Sequence, residues 1–199
     1  MKDKRIGVCI TGSFCTFSQV LVVLRGLAAH NEVTAILSPA SAQTDTRFFK
    51  AGDFRSRVEA ITGRPAMTGI VQAERIGPEK LFDAVLIAPC TGNTLAKLNW
   101  GITDTAVLMA AKAHVRNGRP LVLAVSTNDA LGTAAQNIGG LLNRRLVYFV
   151  PFRQDDPERK PRSMVADFAL CEAALDAALA GVQLQPVIQG VCFKETSVL

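Results

Sequence analysis

Residues 82–88, FDAVLIA, offer a strand no polar face to turn toward water. The runs at 5–11 (RIGVCIT) and 120–125 (PLVLAV) have the same character. A strand that is apolar on both sides needs cover on both sides, and a parallel sheet flanked by helices supplies it. Between these runs lie segments with helical spacing. The expected architecture is therefore a single doubly wound, Rossmann-like α/β domain, with a mostly parallel sheet and helices on both faces.

The elements can be placed in order along the chain. After the 5–11 strand, Val20, Val23, Leu24 and Leu27 recur at helical spacing and predict a helix over 16–30. EVTAIL at 32–37 is the second strand, closed by Ser38-Pro39, and a short helix over 54–61 stops at Gly63 and Pro65. Residues 67–71 are weakly strand-like. The 82–88 strand leads through PCTGNT into a helix, and TAVLMAAKAHV at 105–115 predicts another. The strand at 120–125, a helix over 130–143 and a last strand at 146–150 follow. Residues 151–162 form a loop rich in proline and charge. Met164, Phe168, Cys171, Leu175 and Leu179 lie along one face of a final helix. The domain is expected to span 1–187, with 188–199 a tail disordered at its end.

Composition narrows the function. The 199 residues are 49% hydrophobic and 20% charged, which suits one domain with a full core. The net charge of +5 is scattered, without an aromatic-interleaved basic stripe, which excludes nucleic acid as a partner and leaves room for a small anion. Five cysteines with no C-x-x-C pair predict free thiols in a reducing compartment, hence the cytoplasm. His30 and His114 stand at no ligand spacing from them, so no metal is expected. The N-terminal MKDKRIGVCITGS is a first strand rather than a signal peptide, and no apolar stretch approaches the roughly 20 residues a bilayer needs.

Small polar residues concentrate where strands hand over to helices. One cluster holds Gly12, Ser13 and Phe14. A second, Pro89, Cys90, Thr91, Gly92, Asn93 and Thr94, follows the middle strand. A third, Ser126, Thr127, Asn128 and Asp129, follows the 120–125 strand, and Ser38 follows the second strand. In a doubly wound sheet these turns gather at the carboxyl ends of the strands, where hydroxyls and free N–H groups cradle an anion. Ser13, Thr91 and Thr127 can also be read as plain helix caps. There is no G-x-G-x-x-G at the first turn and no Gly-Lys-Ser/Thr anywhere. A mononucleotide phosphate held by neutral groups remains, and FMN fits best. The expected cofactor-binding set is Gly12, Ser13, Phe14 and Ser38, then Pro89, Cys90, Thr91, Asn93 and Thr94, then Ser126 and Thr127.

The run Pro89-Cys90-Thr91-Gly92-Asn93-Thr94, with Leu95-Ala96-Lys97 and Gly101-Ile102-Thr103-Asp104 after it, resembles the P-A-S-A-N-T…A-K…G-I-A-D pattern of the flavin-containing cysteine decarboxylase superfamily. Within that superfamily, three stretches resemble the dipicolinate synthase B-subunit family. They are Ser126-Thr127-Asn128-Asp129, Ala135-Gln136-Asn137-Ile138-Gly139 and the loop from Val150 through Pro157. The likeness runs over residues 4–187. It implies an FMN-type fold, assembly into trimers or multiples of them, and a dehydrogenase-like A subunit through which NAD(P) could enter. It further implies oxidation of dihydrodipicolinate, a small dicarboxylate, to dipicolinate in the mother cell during sporulation. A scaffold subunit with weak or no flavin is the alternative. The superfamily's decarboxylases use a histidine after the second strand, and this chain has none between His30 and His114. Of their P-x-M-N-x-x-M-W loop it keeps only Asn128, so decarboxylation is the lesser reading. Cys90 stands where the pattern has a small residue, as a packed thiol or a redox group.

For the substrate or the partner subunit, Arg153 is the expected carboxylate clamp, because Phe152 anchors it to the preceding strand. Asn128 is the expected donor to a flavin or substrate carbonyl. Asp104 is read as a cap of the next helix and His114 as structural. Trp100 is assigned to the core, with a subunit contact as the alternative. No residue is assigned a catalytic role.

Overall fold

A computed structural model describes residues 1–190. β1 (Arg5–Ile10) passes through a 3-10 turn into α1 (Phe17–Ala28), whose buried Val20, Leu21, Leu24 and Leu27 face the sheet. β2 (Glu32–Leu37) is followed by three helices, α2 (Pro39–Gln43), α3 (Ala51–Thr62) and α4 (Ile70–Glu74). β3 (Ala84–Cys90) has every residue buried, as a strand without a polar face must. Then come α5 (Gly92–Trp100), α6 (Ala106–Arg116), β4 (Leu121–Thr127) and α7 (Ala135–Leu142). Three short strands, β5 (Val147–Phe149), β6 (Phe152–Arg153) and β7 (Met164–Ala166), precede α8 (Cys171–Leu179).

Five parallel strands lie in the order β2-β1-β3-β4-β5, and β7 and β6 extend the sheet antiparallel from the end of β4. The chain moves one way from β1 to β2 and the other way from β3 to β4 and β5. Right-handed crossovers therefore put α1 on one face and α5, α6 and α7 on the other. The reversal falls between β1 and β3, so their carboxyl ends flank a crevice. The turns at Gly12-Ser13 and Thr91-Gly92 stand on either side of it.

Several sequence expectations give way to tertiary contacts. Residues 67–71 are not a strand: Met67 makes one parallel bridge to Ile36, and α4 begins at Ile70. The helix expected over 130–143 starts only at Ala135, because Asp129 folds back to accept from the Thr133 N–H and holds 130–134 in turns. Met164 is not helical. β5 ends opposite Leu123, which leaves the far end of β4 without a neighbour, and β7 fills the gap by pairing Val165 with Ser126 and Met164 with Thr127. Asp167 then accepts from the Ala169 N–H, and the chain turns helical only at Phe168. Asp104 pairs with Lys97, and the cap of α6 is Thr105. Trp100 is 72% exposed at the end of α5, not core. Ile188 bridges Phe152 at the start of the tail, and the disorder expected at its end lies outside the described residues.

Candidate functional site

The crevice opens into a cavity of about 1140 Å³. That exceeds the roughly 300–1,000 Å³ of ordinary ligand pockets. Its first wall comes from the β1, β3 and β4 turns, with Gly12, Ser13, Thr91, Asn93, Ser126 and Thr127 all lining it.

These turns are tied to one another. The Thr11 hydroxyl donates to the Pro89 carbonyl at 2.7 Å and accepts from the Thr91 N–H at 3.2 Å, which locks the β1 turn to the β3 turn. Ser13 Oγ and Ser126 Oγ share a hydrogen bond of 2.8 Å, which links the β1 turn to β4 across the crevice. Thr91 Oγ1 accepts from the Thr94 N–H at 3.3 Å, so Thr91 does cap α5. Ser13 makes no cap; its hydroxyl shares one hydrogen bond with Ser126, which leaves one O–H of the pair to offer to the cavity. Thr127 accepts from the Asp129 N–H at 3.3 Å.

The chemistry of this wall is uncharged donation. Gly92 and Asn93 are the first two residues of α5, where N–H groups have no intrahelical acceptor. Together with the Ser13, Thr91, Ser126 and Thr127 hydroxyls they suit a phosphate and a polyhydroxyl chain, aided by the positive end of the helix. A Cβ on Gly92 would come within 2.8 Å of Thr127 Oγ1, and one on Gly12 within 3.1 Å of Ala40 Cβ. At Gly92 this is closer than a side chain allows without a shift of its neighbour, and at Gly12 it is tight. The donor set and this close approach fit a flavin mononucleotide.

Other expected residues fall elsewhere. Ser38 is buried as the cap of α2, accepting from the Ser41 N–H, and does not line the cavity. Pro89 and Thr94 lie beneath the surface and support it through Thr11 and Thr91. Cys90 is fully buried beside Cys9, and burial pushes both thiols far above their ordinary range. That is the packed thiol, with no exposed sulfur for redox chemistry. Phe14 and Asn128 line the cavity, and Arg153 does not: its guanidinium reaches Gln189 Oε1 at 3.4 Å on the outside. From the same charged loop, Lys160 and Arg162 reach the lining instead. His114 is buried and bonded to the Pro120 carbonyl at 3.1 Å, and burial lowers its pKa to about 4.

Sequence reasoning assigned no role to Arg47, Asn137 or Arg162, all of which line the cavity. Arg47 sits on the segment before α3, its guanidinium 4.8 Å above the Phe48 ring. Asn137 carried one legible signal, a polar residue amid the apolar face of α7. Its place at the cavity depends on α7 packing beside α5, which spacing alone does not encode.

The chain matches the Flavoprotein family over residues 1–154. It belongs to that family. It is 43% identical over 189 residues to the dipicolinate synthase B subunit of Bacillus subtilis (strain 168), covering 94% of both chains. The crystal structure of the dipicolinate synthase B subunit from Bacillus halodurans superposes with a TM-score of 0.87 at 39% identity, over 95% of this chain and 97% of that one. A dodecameric FMN-dependent UbiX-like decarboxylase from Escherichia coli O157:H7 shares the fold, with a TM-score of 0.61 at 24% identity over 74% of this chain and 79% of that one. Among the described residues no helix is long and apolar enough to cross a membrane, and no cluster of side chains could hold a metal ion.

Proposed function

We propose that this chain is the flavin-carrying B subunit of a two-subunit dipicolinate synthase. It works with a dehydrogenase-like A subunit to oxidise dihydrodipicolinate during sporulation. One observation carries the reading. Neutral donors from three separate turns, Ser13, Thr91 through Asn93, and Ser126 with Thr127, converge on one large cavity at the β1/β3 reversal. The likeness to the two Bacillus homologues supplies the reaction class.

FMN, when bound, supplies a two-electron acceptor for aromatising a dihydropyridine. The chain's own part is to hold and orient. Gly92 and Asn93 N–H groups and the surrounding hydroxyls take the phosphate and ribityl chain, and the cavity leaves space beside them for a small dicarboxylate. Phe14, Ser126 and Asn128 line the cavity, and in this reading Asn128 donates to a ring or substrate carbonyl. The cavity lining holds no histidine, its Asp155 is paired with Lys160 and its Asp129 accepts from the Thr133 N–H, and this scheme assigns proton removal to solvent or to the A subunit. Homo-oligomers built from trimers, entry of NAD(P) through the A subunit and residence in the mother cell belong to the same proposal.

Titration of the purified chain with FMN, followed by flavin fluorescence, tests it. Saturation at micromolar FMN is expected. Ser13→Ala, and Asn93→Ala, which keeps the backbone N–H but removes the side-chain amide that lines the cavity, are each expected to weaken binding about tenfold, the value of one charge-assisted hydrogen bond. Dipicolinate formation is expected only when the A and B subunits are combined. A colourless chain that ignores millimolar FMN yet still supports the A subunit would favour a scaffold role instead.

A further inference from the structure

Beside the neutral wall, the cavity is bounded by α7 and by the segment that leads into β7: a Cβ on Gly92 would lie 3.9 Å from Ala134 Cβ, and Met164 pairs with Thr127. Asn137 stands here. It is only 4% exposed, yet it lines the cavity. Asn99 Nδ2 donates to its Oδ1 at 3.1 Å, and no hydrogen bond from its Nδ2 is present among the described residues. No fully buried side-chain nitrogen or oxygen in those residues lacks a partner. The free end of the Asn137 amide is therefore reached from the cavity. Exchanging the two ends of the amides would leave the same result, one end tied to Asn99 and the other facing the cavity.

The orientation is built in. Asn99 can approach because Gly140 has no side chain; a Cβ there would lie 2.5 Å from Asn99 Oδ1. Ala96 and Ala134 line the same cavity, and their small side chains leave room in it. Charge points the same way. Asp155 is paired with Lys160 at 3.4 Å, and Asp129 accepts from the Thr133 N–H at 2.9 Å. Arg162 has no ion pair among the described residues. Its carbonyl accepts from the Leu131 N–H at 3.0 Å, which ties its backbone to the turn before α7.

We propose that the cavity holds two subsites, and that the wall formed by Asn137 and Arg162 is a carboxylate-binding subsite for a small planar dicarboxylate. This rests on the flavin reading of the adjoining wall. Asn137 donates to one carboxylate oxygen, Arg162 supplies the countercharge, and Asn99 is a positioning residue that keeps the Asn137 amide turned inward. A buried amide held from behind discriminates by geometry. A ligand without an acceptor at that point leaves the Nδ2 unpaired.

The probe is pyridine-2,6-dicarboxylate, titrated into the full chain by calorimetry, with and without FMN. Asn137→Ala is expected to weaken its binding about tenfold, and Arg162→Ala by ten- to a hundredfold. Asn137→Asp, which sets a carboxylate against a carboxylate, is expected to weaken it more than Asn137→Ala. All three should bind FMN as the parent does, which also reports that they fold. Asn99→Ala should weaken the dicarboxylate, and Asn99→Gln should recover part of the loss. Pyridine-2-carboxylate should bind more weakly than the dicarboxylate to the parent and show a smaller difference between the parent and Arg162→Ala. Unchanged dicarboxylate affinity in Asn137→Ala and Arg162→Ala would overturn the proposal, as would loss of FMN affinity in both. So would a parent chain that binds no dicarboxylate at millimolar concentration. A chain that binds the dicarboxylate as described but no FMN would sink the flavin reading and leave this subsite standing.

Discussion

At Gly92 the structure reverses the sign of an ordinary substitution. Alanine for glycine at a compatible backbone position stabilises a protein by about 0.4–1 kcal/mol, because the unfolded chain loses freedom. Gly92 is the first residue of α5 and has no positive φ. By local rules Gly92→Ala should help. A Cβ there, however, would lie 2.8 Å from Thr127 Oγ1 and 3.5 Å from Thr127 Cβ. The hydroxyl is not free to turn aside, since it accepts from the Asp129 N–H at 3.3 Å. Either that bond breaks or α5 shifts, and overpacking of this kind costs about 1–2 kcal/mol. For a domain of this size that is a fall of roughly 2–8 °C in Tm. In a Thr127→Ala background the obstacle is gone, and Gly92→Ala should become neutral or stabilising by up to about 1 kcal/mol. Urea denaturation of the four proteins gives the coupling, expected at about 2 kcal/mol. Gly92→Ala alone should also weaken FMN binding about tenfold, since the N–H groups of α5 move with the helix. If the substitution had the same effect in both backgrounds to within about 0.5 kcal/mol, the two turns would not be in contact and the cradle would be wrongly drawn.

Three further outcomes are expected. His114, buried with a pKa lowered from its ordinary 6.5 to about 4, is neutral in the folded chain at neutral pH. Below pH 6.5 the unfolded chain takes up a proton that the folded chain refuses, so stability is full above 6.5 and declines toward pH 4. At about 1.4 kcal/mol per pH unit the loss is about 3 kcal/mol, and His114→Gln should flatten it in urea titrations at stepped pH; an unchanged slope would assign the effect to other groups. Gln183 acts as a substitute strand for β5, accepting from the Phe149 N–H at 2.8 Å and donating to the Phe149 carbonyl at 2.7 Å. Gln183→Ala should therefore cost about 2 kcal/mol, measured as a lowered urea midpoint, and a cost under about 0.5 kcal/mol would show that the pairing is not made in solution. Cys15 is exposed and lines the cavity, whereas Cys9, Cys90 and Cys171 are buried. In a Cys192→Ser chain, Cys15 should be the thiol that reacts with a disulfide reagent under native conditions. Saturating FMN should slow that reaction, and equal rates with and without FMN would place the flavin elsewhere.

Much of the scaffold could be read from near neighbours in the chain. Residues 32–37 are a strand in the sequence reading and in the structure, and the runs at 5–11, 82–88 and 120–125 lie within a residue or two of β1, β3 and β4. Apolar residues in an unbroken run, or at three- and four-residue spacing, report burial directly, because a side chain's face follows from the local period. The parallel order followed as well, since strands without a polar face have few other ways to be covered. The junction turns also showed themselves, as small polar residues where a strand ends.

Tertiary structure decided which of those turns meet and what faces them. Ser13 and Ser126 stand 113 residues apart and share a hydrogen bond because β1 and β4 flank β3. Asn137 shows in the sequence only as a polar residue amid the apolar face of α7, and what it meets is settled when α7 is laid against α5, with Gly140 making room for Asn99. Arg153 and Arg162 belong to one charged loop, and the antiparallel return of β7 along β4 is what leaves Arg162 at the cavity and Arg153 outside it. Periodicity describes how a segment meets its own neighbours along the chain. The composition of a cavity wall is set by contacts between segments far apart in sequence, and those exist only once the sheet has been assembled.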